Sequence, residues 1–378
     1  MRRGASALLC ALLATAAAAA PGDATFSPST QQKIEAVVRS DLASYGGNEP
    51  VPGVVIGVWY PGHGTFVRSI GYGELSPRRV MTLDDRFRIG SNTKTFLVSV
   101  LLQLVDEKKL GLDDPVSRFA LPVHVPNGTH ITVRELMEMR SGIVDLYANP
   151  AFQTLDIKPA GPFDRVPWVT WALKHRPLFA PGTKYSYSNT NYMLLGWIAE
   201  VVGRDSVPNL IRRRIIVPLG LHATSFPVTD PGMPAPYAHG YSLDAKRNWF
   251  DTSVVFPPAA TWAAGAMISD MADMKTWVKA YVTGTTNGAR TQRERLKCLP
   301  TGARNLSFGL GIGCAAGWYG YTGGIEGYNT CAYYLPGKDA TIIAFVNSHP
   351  ASKGKPHVAA AIVRDIAKIV FPENVPYQ

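Results

Sequence analysis

The order of its secondary-structure patterns constrains this chain more than any other feature of the sequence. Alternating, strand-like patterns occupy both ends of the chain, and helix-like patterns fill the middle. Since a strand must bury its apolar face against other elements, strands from the two ends are expected to share one sheet, with a helical insertion between them. The predicted strands span residues 53–60, 64–70, 306–314, 330–335 and 340–347, and the predicted helices span 31–42, 91–109, 132–139, 166–175, 193–202, 206–217, 271–282 and 358–369.

The amino-terminal segment differs in character from the rest of the chain. Arg2 and Arg3 precede an apolar run, and small residues follow through Ala20, which is the layout of a secretory signal peptide. No later run of about 18 apolar residues follows that would span a membrane. We therefore predict a signal peptide over residues 1–22 and a secreted or periplasmic mature protein without an integral membrane span.

The same patterns suggest how the remaining residues divide into domains. The chain has 378 residues and is 46% hydrophobic and 17% charged, which suffices for a substantial core in one large or two closely packed domains. We predict a sheet domain made of residues 25–90 and 262–378, and a helical domain made of residues 91–261.

Charge and cysteine content narrow the classes of ligand. The formal charge of +10 is spread along the chain, and its only cluster, residues 212–214, is expected to be a solvated helix face, so no nucleic-acid partner is predicted.

The chain has four cysteines, of which Cys10 lies in the predicted signal peptide. One pair among Cys298, Cys314 and Cys331 can be bridged in an oxidising compartment, and no spacing fits a metal site.

A candidate nucleophile stands at the start of the helix predicted over residues 91–109. Ser91 follows Gly90, and Lys94 lies three residues further on, so the two side chains share one helix face. A serine hydroxyl is a weak nucleophile until a base removes its proton. A partly desolvated lysine near the positive end of a helix dipole has a lowered pKa, so a neutral Lys94 can serve as that base.

Two further motifs follow in the sequence. The three motifs are Ser91-Asn92-Thr93-Lys94, Tyr187-Ser188-Asn189 and Tyr321-Thr322-Gly323-Gly324. Each short pattern is weak alone, because Ser352 with Lys355 and Tyr147 with Asn149 duplicate the first two. As an ordered set they resemble the serine penicillin-recognising family of β-lactamases, DD-peptidases and related esterases. That resemblance covers most of residues 30–370 and implies an α/β fold (an α+β sandwich) with an antiparallel sheet flanked by helices.

The resemblance also implies a catalytic role for several residues. Ser91 would attack a carbonyl carbon, Lys94 and Tyr187 would exchange the serine proton, and Asn189 would hold Lys94 and a substrate amide. The backbone N–H groups of Ser91 and Gly324 would bind the oxyanion. This chemistry needs neither a metal nor an organic cofactor.

The third motif departs from the family pattern. Relatives that hold a substrate carboxylate often begin this motif with Lys or His, whereas this chain has Tyr321, which carries no charge at pH 7. Thr322 and Gly323 would still contact the substrate. Either Arg304 upstream binds a carboxylate, which fits a DD-carboxypeptidase, or the substrate has none, which fits an esterase or amidase.

The sequence therefore predicts a serine hydrolase, first of all a D-alanyl-D-alanine carboxypeptidase that binds peptides or β-lactams, with peptidoglycan as a candidate partner. The alternatives are a carboxylesterase or amidase, a class C-like β-lactamase, and a catalytically silent wall-binding protein. Trp262 is a candidate aromatic residue of the cleft, with core packing as the alternative. His239 and His349 are expected in loops or in the core.

Overall fold

The computed structural model describes residues 24–153, 163–255, 257–349 and 357–377. The predicted signal peptide and the second Ser-x-x-Lys tetrad, Ser352 to Lys355, lie outside the described residues. Within those ranges, none of the helices is both long enough and apolar enough to cross a membrane.

Strands and helices follow the predicted order. The strands are β1 (Gly53–Tyr60), β2 (Gly64–Leu75), β3 (Arg78–Val80), β4 (Phe87–Arg88), β5 (Tyr241–Leu243), β6 (Trp249–Asp251), β7 (Ile268–Ser269), β8 (Leu299–Pro300), β9 (Ser307–Gly309), β10 (Ile312–Ala315), β11 (Trp318–Ile325), β12 (Tyr328–Leu335) and β13 (Ala340–Val346). The helices are α1 (Pro28–Tyr45), α2 (Thr93–Asp106), α3 (Val133–Met137), α4 (Pro150–Gln153), α5 (Val166–Lys174), α6 (Asn189–Gly203), α7 (Val207–Ile211), α8 (Val217–Leu219), α9 (Pro258–Thr261), α10 (Met271–Thr283), α11 (Ala289–Arg295) and α12 (Val358–Val370).

One antiparallel sheet is built from both ends of the chain, as predicted. Its strand order is β3-β2-β1-β13-β12-β11-β10-β9-β8, and β1 pairs directly with β13, with Val54 opposite Val346. The single strand predicted over residues 306–314 is wrong: the chain forms β9 and β10, because Gly311 reverses its direction with φ at +61°. A turn of this kind favours glycine.

Each face of the sheet has its own core. On one face, α1 and α12 pack against each other and against the sheet through side chains such as Ile34, Val38, Ile362 and Ile366. The other face and the helical insertion share one continuous core. The domain boundaries near residues 90 and 261 therefore stay a prediction.

The helix α2 is the centre of the second core. Every residue from Thr93 to Leu102 is buried, as expected of a helix that is apolar nearly all round. Trp277 stacks on Phe96 with ring centroids 4.0 Å apart. The buried Arg295 guanidinium donates to Ser99 Oγ at 2.7 Å and to a carbonyl oxygen of the same helix at 3.1 Å.

Two local predictions from the sequence have a clear outcome. Thr132 caps α3 and accepts from the Glu135 backbone N–H, while the Glu135 carboxylate accepts from the Thr132 N–H, which is the predicted capping box. Cys298 and Cys314 form the disulfide bond, and Cys331 is a buried free thiol. The sequence left this pairing open.

Candidate active site

Ser91 and Lys94 meet at the entry to α2. A 3-10 turn, Gly90–Asn92, leads into the helix, and Lys94 Nζ lies 2.9 Å from Ser91 Oγ. Nζ also donates to Asn189 Oδ1 at 2.8 Å and to the Ala264 carbonyl oxygen at 2.7 Å. Lys94 is fully buried. Its amino group is therefore held by three neighbours and shielded from water.

The environment of Lys94 favours the neutral amine. Burial lowers the pKa of Lys94 to about 7, and the nearby Asp145 charge opposes that shift without cancelling it. An ammonium has three donors, and loss of one proton leaves two N–H groups and a lone pair. The Asn189 and Ala264 oxygens accept from the two N–H groups, so the lone pair remains for the Ser91 hydroxyl.

Tyr187 provides the second group beside the serine. Its hydroxyl donates to Ser91 Oγ at 2.8 Å, and Lys94 Nζ lies 5.1 Å from the centroid of its ring. Although 36% of the residue surface is exposed, desolvation raises the pKa of Tyr187, and the hydrogen bond to Ser91 only partly offsets the rise. The phenol is thus protonated at neutral pH and can donate a proton.

Asn189 is held in place by a residue that the sequence did not indicate. Asp145 Oδ2 accepts from Asn189 Nδ2 at 2.9 Å, and Asp145 Oδ1 accepts from the Asn189 backbone N–H at 3.3 Å. This fixes the amide so that its oxygen faces Lys94. Asp145 lies 44 positions before Asn189, and no spacing to the three motifs marks it in the sequence.

The strand β11 brings the third motif against the start of α2. Gly90 has a φ of +50°, and a Cβ there would lie only 2.9 Å from the backbone nitrogen of Gly324. A Cβ on Gly323 would lie 2.0 Å from the carbonyl oxygen of Ile89. Only glycine permits this approach, which places the Ser91 backbone beside Gly324. The oxyanion role of these two N–H groups stays a prediction.

Tyr321 replaces a cation with a buried phenol. The residue is 4% exposed, and burial holds the pKa of its hydroxyl well above the usual value. The hydroxyl interacts with the Tyr187 phenol but forms no hydrogen bond of good geometry within the described part of the chain. Tyr321 therefore adds a polar group and no charge to this side of the site.

An open cleft of about 340 Å³ gives access to the serine. It is lined by Ser91, Tyr147, Tyr187, Asn189, Thr261, Ala264, Gly265, Tyr321, Thr322, Gly324, Ile325, His349 and His357. Six of the predicted site residues are among them. Among the described lining residues there is no Asp, Glu, Lys or Arg. Within the same described ranges, no group of three or more His, Cys, Asp or Glu residues is placed to hold a metal ion.

Two predicted site residues lie away from the cleft. Trp262 is 2% exposed; its ring packs on Trp197 and lies under the Arg165 guanidinium, 4.2 Å from the ring centroid. The ring thus points into the helical core, which is the core-packing alternative for Trp262, while its neighbour Ala264 contacts Lys94. Arg304 is exposed in the turn between β8 and β9, at the edge of the sheet, and does not line the cleft.

Of the two histidines that were expected in loops or in the core, one lies outside the cleft and the other lines it. His239 lies outside the cleft and pairs with Asp251, with Nδ1 and Oδ2 2.6 Å apart. His349 follows β13 as expected of a loop residue, but it lines the cleft together with His357. No motif or spacing in the sequence marks this pair, because the two residues meet only through the fold.

Comparisons with known proteins are consistent with this geometry. The chain is 29% identical over 262 residues to Protein flp of Staphylococcus aureus (strain NCTC 8325 / PS 47), covering 66% of this chain and 48% of that protein. It is 27% identical over 336 residues to a D-aminopeptidase of Cereibacter sphaeroides, covering 85% and 62% of the two chains. The chain thus spans less than two thirds of the length of these curated relatives.

Solved structures share the fold over nearly their whole length. A D-stereospecific amidohydrolase from Streptomyces sp. superposes with a TM-score of 0.76 at 29% identity, covering 90% of this chain and 98% of that one. A penicillin binding protein from Bacillus halodurans has a TM-score of 0.71 at 18% identity, covering 86% and 96%. The second shows the fold alone.

A comparison with models of protein families covers all the segments that form the site. The model of the Beta-lactamase family matches residues 34–365, a range that contains all three motifs and the sheet strands that carry them. With its fold and its three motifs assembled in one cleft, the chain belongs to the Beta-lactamase family of serine hydrolases.

Proposed function

We propose that this protein is an amidohydrolase that forms an acyl-enzyme at Ser91 and cleaves amides of D-configured residues whose leaving group is uncharged. The observation that carries the proposal is the absence of charge among the described lining residues of the cleft. A D-alanyl-D-alanine carboxypeptidase binds a substrate with a terminal carboxylate, which is costly to desolvate without a cationic partner. An amide or ester leaving group has no such requirement.

Two relatives support the D-configuration and the amide bond. The D-stereospecific amidohydrolase from Streptomyces sp. and the D-aminopeptidase of Cereibacter sphaeroides are named for activities of this kind, and they are 29% and 27% identical to this chain. A lysine or arginine among the described lining residues of the cleft would have favoured the carboxypeptidase alternative. Lys94 does not fill that role, because its amino group already contacts Ser91, Asn189 and Ala264.

The acylation step follows from the contacts around Ser91. Lys94 accepts the hydroxyl proton as Ser91 Oγ bonds to the substrate carbonyl carbon. The oxyanion lies between the backbone N–H groups of Ser91 and Gly324. The Tyr187 phenol gives its proton to the leaving nitrogen as the C–N bond breaks, and the Lys94 ammonium then returns a proton to the phenolate. At the end of the step Lys94 and Tyr187 have the protonation states in which they began, and the proton of the Ser91 hydroxyl has left with the amine.

Deacylation reverses the same transfers with water in place of the leaving amine. Water adds to the acyl carbon while the neutral Lys94 accepts its proton, and Ser91 Oγ then leaves the acyl carbon and takes that proton from Lys94. Asn189 holds Lys94 throughout, and Asp145 holds Asn189. The rate of this step decides whether a penicillin would label the enzyme stably or be turned over.

A panel of substrates tests the proposal. The mature protein and its Ser91→Ala variant are incubated with D-alanine p-nitroanilide, its L-isomer, N-acetyl-D-alanyl-D-alanine and a fluorescent penicillin. We expect Ser91-dependent hydrolysis of the D-anilide, with kcat/KM at least tenfold above that for the L-isomer. A high kcat/KM for the dipeptide and none for the anilide would contradict the proposal and favour a DD-carboxypeptidase.

The remaining alternatives give different results in the same panel. Rapid Ser91-dependent turnover of the penicillin alone favours a β-lactamase. Hydrolysis of short p-nitrophenyl esters without amide hydrolysis favours a carboxylesterase. No reaction with any substrate favours a silent scaffold, and binding of the protein to isolated peptidoglycan would then be measured.

Export is a separate part of the proposal. Residues 1–22 have the pattern of a signal peptide, so we propose that the mature protein acts outside the cytoplasm. Expression of the full chain followed by amino-terminal sequencing of the secreted or periplasmic fraction tests this. A mature protein that keeps its first residues and stays in the cytoplasm would contradict it.

A further inference from the structure

Two histidines on the cleft wall have no part in the chemistry described above. His349 Nε2 lies 3.4 Å from His357 Nδ1, and the two rings stack at 5.2 Å between centroids. His349 follows the last strand of the sheet, β13, and His357 occupies the position directly before α12. The two rings thus meet from separate elements and hold each other in place.

The pair lies against the strand that carries the third motif. A Cβ on Gly324 would lie only 2.9 Å from His349 Nε2, so the imidazole is in contact with this strand. Side chains alternate along a strand, which puts Thr322 and Gly324 on the same face. His349 therefore lies on the same face of the strand as Thr322, and both residues line the cleft.

The pair is neutral at pH 7. Desolvation lowers the pKa of His349 to about 4, and the neighbouring His357 adds to that shift. Desolvation also lowers the pKa of His357, although part of its surface stays exposed. No carboxylate among the described lining residues of the cleft offsets this. Each neutral ring has one N–H group and one nitrogen lone pair, so the pair has two N–H donors and two nitrogen acceptors.

Counting those protons fixes what the pair can bind. One proton lies between His349 Nε2 and His357 Nδ1, so of the two outer nitrogens one donates and the other accepts, whichever ring carries the shared proton. A primary carboxamide offers an acceptor oxygen and a donor nitrogen to match. A carboxylate offers acceptors only and would face a ring nitrogen lone pair, and the described lining residues of the cleft include no Lys or Arg to compensate.

We propose that His349, oriented by His357, is a specificity-determining residue that hydrogen-bonds an uncharged carboxamide at the end of the leaving group. The cleft thereby selects D-residue peptides that end in an amide over those that end in a free carboxylate. This inference rests on the proposed function, since it names the substrate class of the same site.

A matched pair of substrates tests it. N-acetyl-D-alanyl-D-alaninamide and N-acetyl-D-alanyl-D-alanine differ only in the terminal group, and kcat/KM is measured for both at pH 7.5. We expect the wild-type protein to prefer the amide. His349→Phe, which removes the imidazole nitrogens, should reduce that preference about tenfold, as for one hydrogen bond, and His349→Asn, which keeps a polar side chain, should retain part of it.

A charge-introducing variant gives the sharpest contrast. His349→Lys adds a cation, so kcat/KM for the free acid should rise at least tenfold relative to the amide. His130→Asn, an exposed histidine outside the cleft, is the control and should keep the wild-type preference. Circular dichroism checks folding, and the Lys and Asn variants carry the comparison if the Phe variant does not fold.

The outcomes separate this inference from the proposed function. Ser91-dependent hydrolysis with an amide preference that His349→Phe and His349→Lys leave unchanged overturns the role of the pair alone. A wild-type protein that prefers the free acid overturns it as well. Absence of Ser91-dependent hydrolysis of any D-amide overturns the proposed function itself.

Discussion

The burial of Lys94 predicts how the stability of the protein changes with pH. Its pKa falls from 10.5 in the unfolded chain to about 7 in the fold, so between these values the unfolded state binds one proton more. Stability therefore rises with pH in this window, and the penalty of burying the group is fully present below about pH 7. The perturbation that isolates this effect is Lys94→Met, which fills similar space and cannot titrate.

The magnitude follows from linkage. One pKa unit corresponds to about 1.4 kcal/mol, and integration from roughly pH 7.5 to 9.5 gives a gain of about 2.5 kcal/mol in the free energy of unfolding of the wild type relative to Lys94→Met. The variant also loses the hydrogen bonds of Nζ. That loss shifts the difference by a constant and leaves its pH dependence intact.

Urea denaturation followed by tryptophan fluorescence at several pH values measures the difference. Other titrating groups are common to both proteins and largely cancel. Lys33→Met, which removes an exposed lysine on α1, is the matched control and should show no such pH-dependent difference. A wild-type minus Lys94→Met difference that stays within about 0.5 kcal/mol over this range would mean that Lys94 remains an ammonium in the fold, and the general-base argument would fail.

Three further predictions concern the same site. The neutral amine of Lys94 is the active form, so kcat/KM for a D-amide should rise about tenfold per pH unit below pH 7 and level off above pH 7. A profile of kcat/KM that is flat from pH 5 to 8 would contradict this. Asp145→Asn removes the charge that raises the pKa of Lys94, so the midpoint of that profile should move to lower pH. Since Asn189 also loses a hydrogen bond to a charged group, kcat should fall about tenfold to hundredfold; stopped-flow pH profiles that coincide with wild type would argue against the coupling. Gly90→Ala should cost about 1–3 kcal/mol from its positive φ, with an added penalty from contact with Gly324, and should lower kcat. Thermal denaturation against Gly62→Ala is its control, because Gly62 has a φ of +77° with nothing within 4 Å of an added Cβ; equal losses for the two variants would refute the close approach.

The parts of the fold that could be predicted are those encoded locally. The run of apolar residues after Ser91 specifies α2, and the short continuous apolar run that ends at Tyr60 specifies β1, since each needs only suitable neighbours to bury its side chains. The Ser91 and Lys94 pair needs only the helical repeat to meet. These features could therefore be read from spacing alone.

The parts that could not be predicted depend on contacts between distant segments. Asp145 matters only because the chain brings it to Asn189, and His349 matters only because it folds over Gly324. Trp262 shows the opposite case: its position in the sequence suggested the cleft, but the backbone turn directs its ring inward. Composition and periodicity carry no information about such placements, because they describe neighbours along the chain.

The pairing of β1 with β13 has a consequence for the order in which the protein assembles. Val54 and Val346 are opposite each other although nearly the entire chain separates them, and contacts between such distant positions slow folding. During synthesis the early strands emerge long before their central partner exists. The β1 edge of the amino-terminal hairpin therefore stays unpaired until β13 has been synthesised.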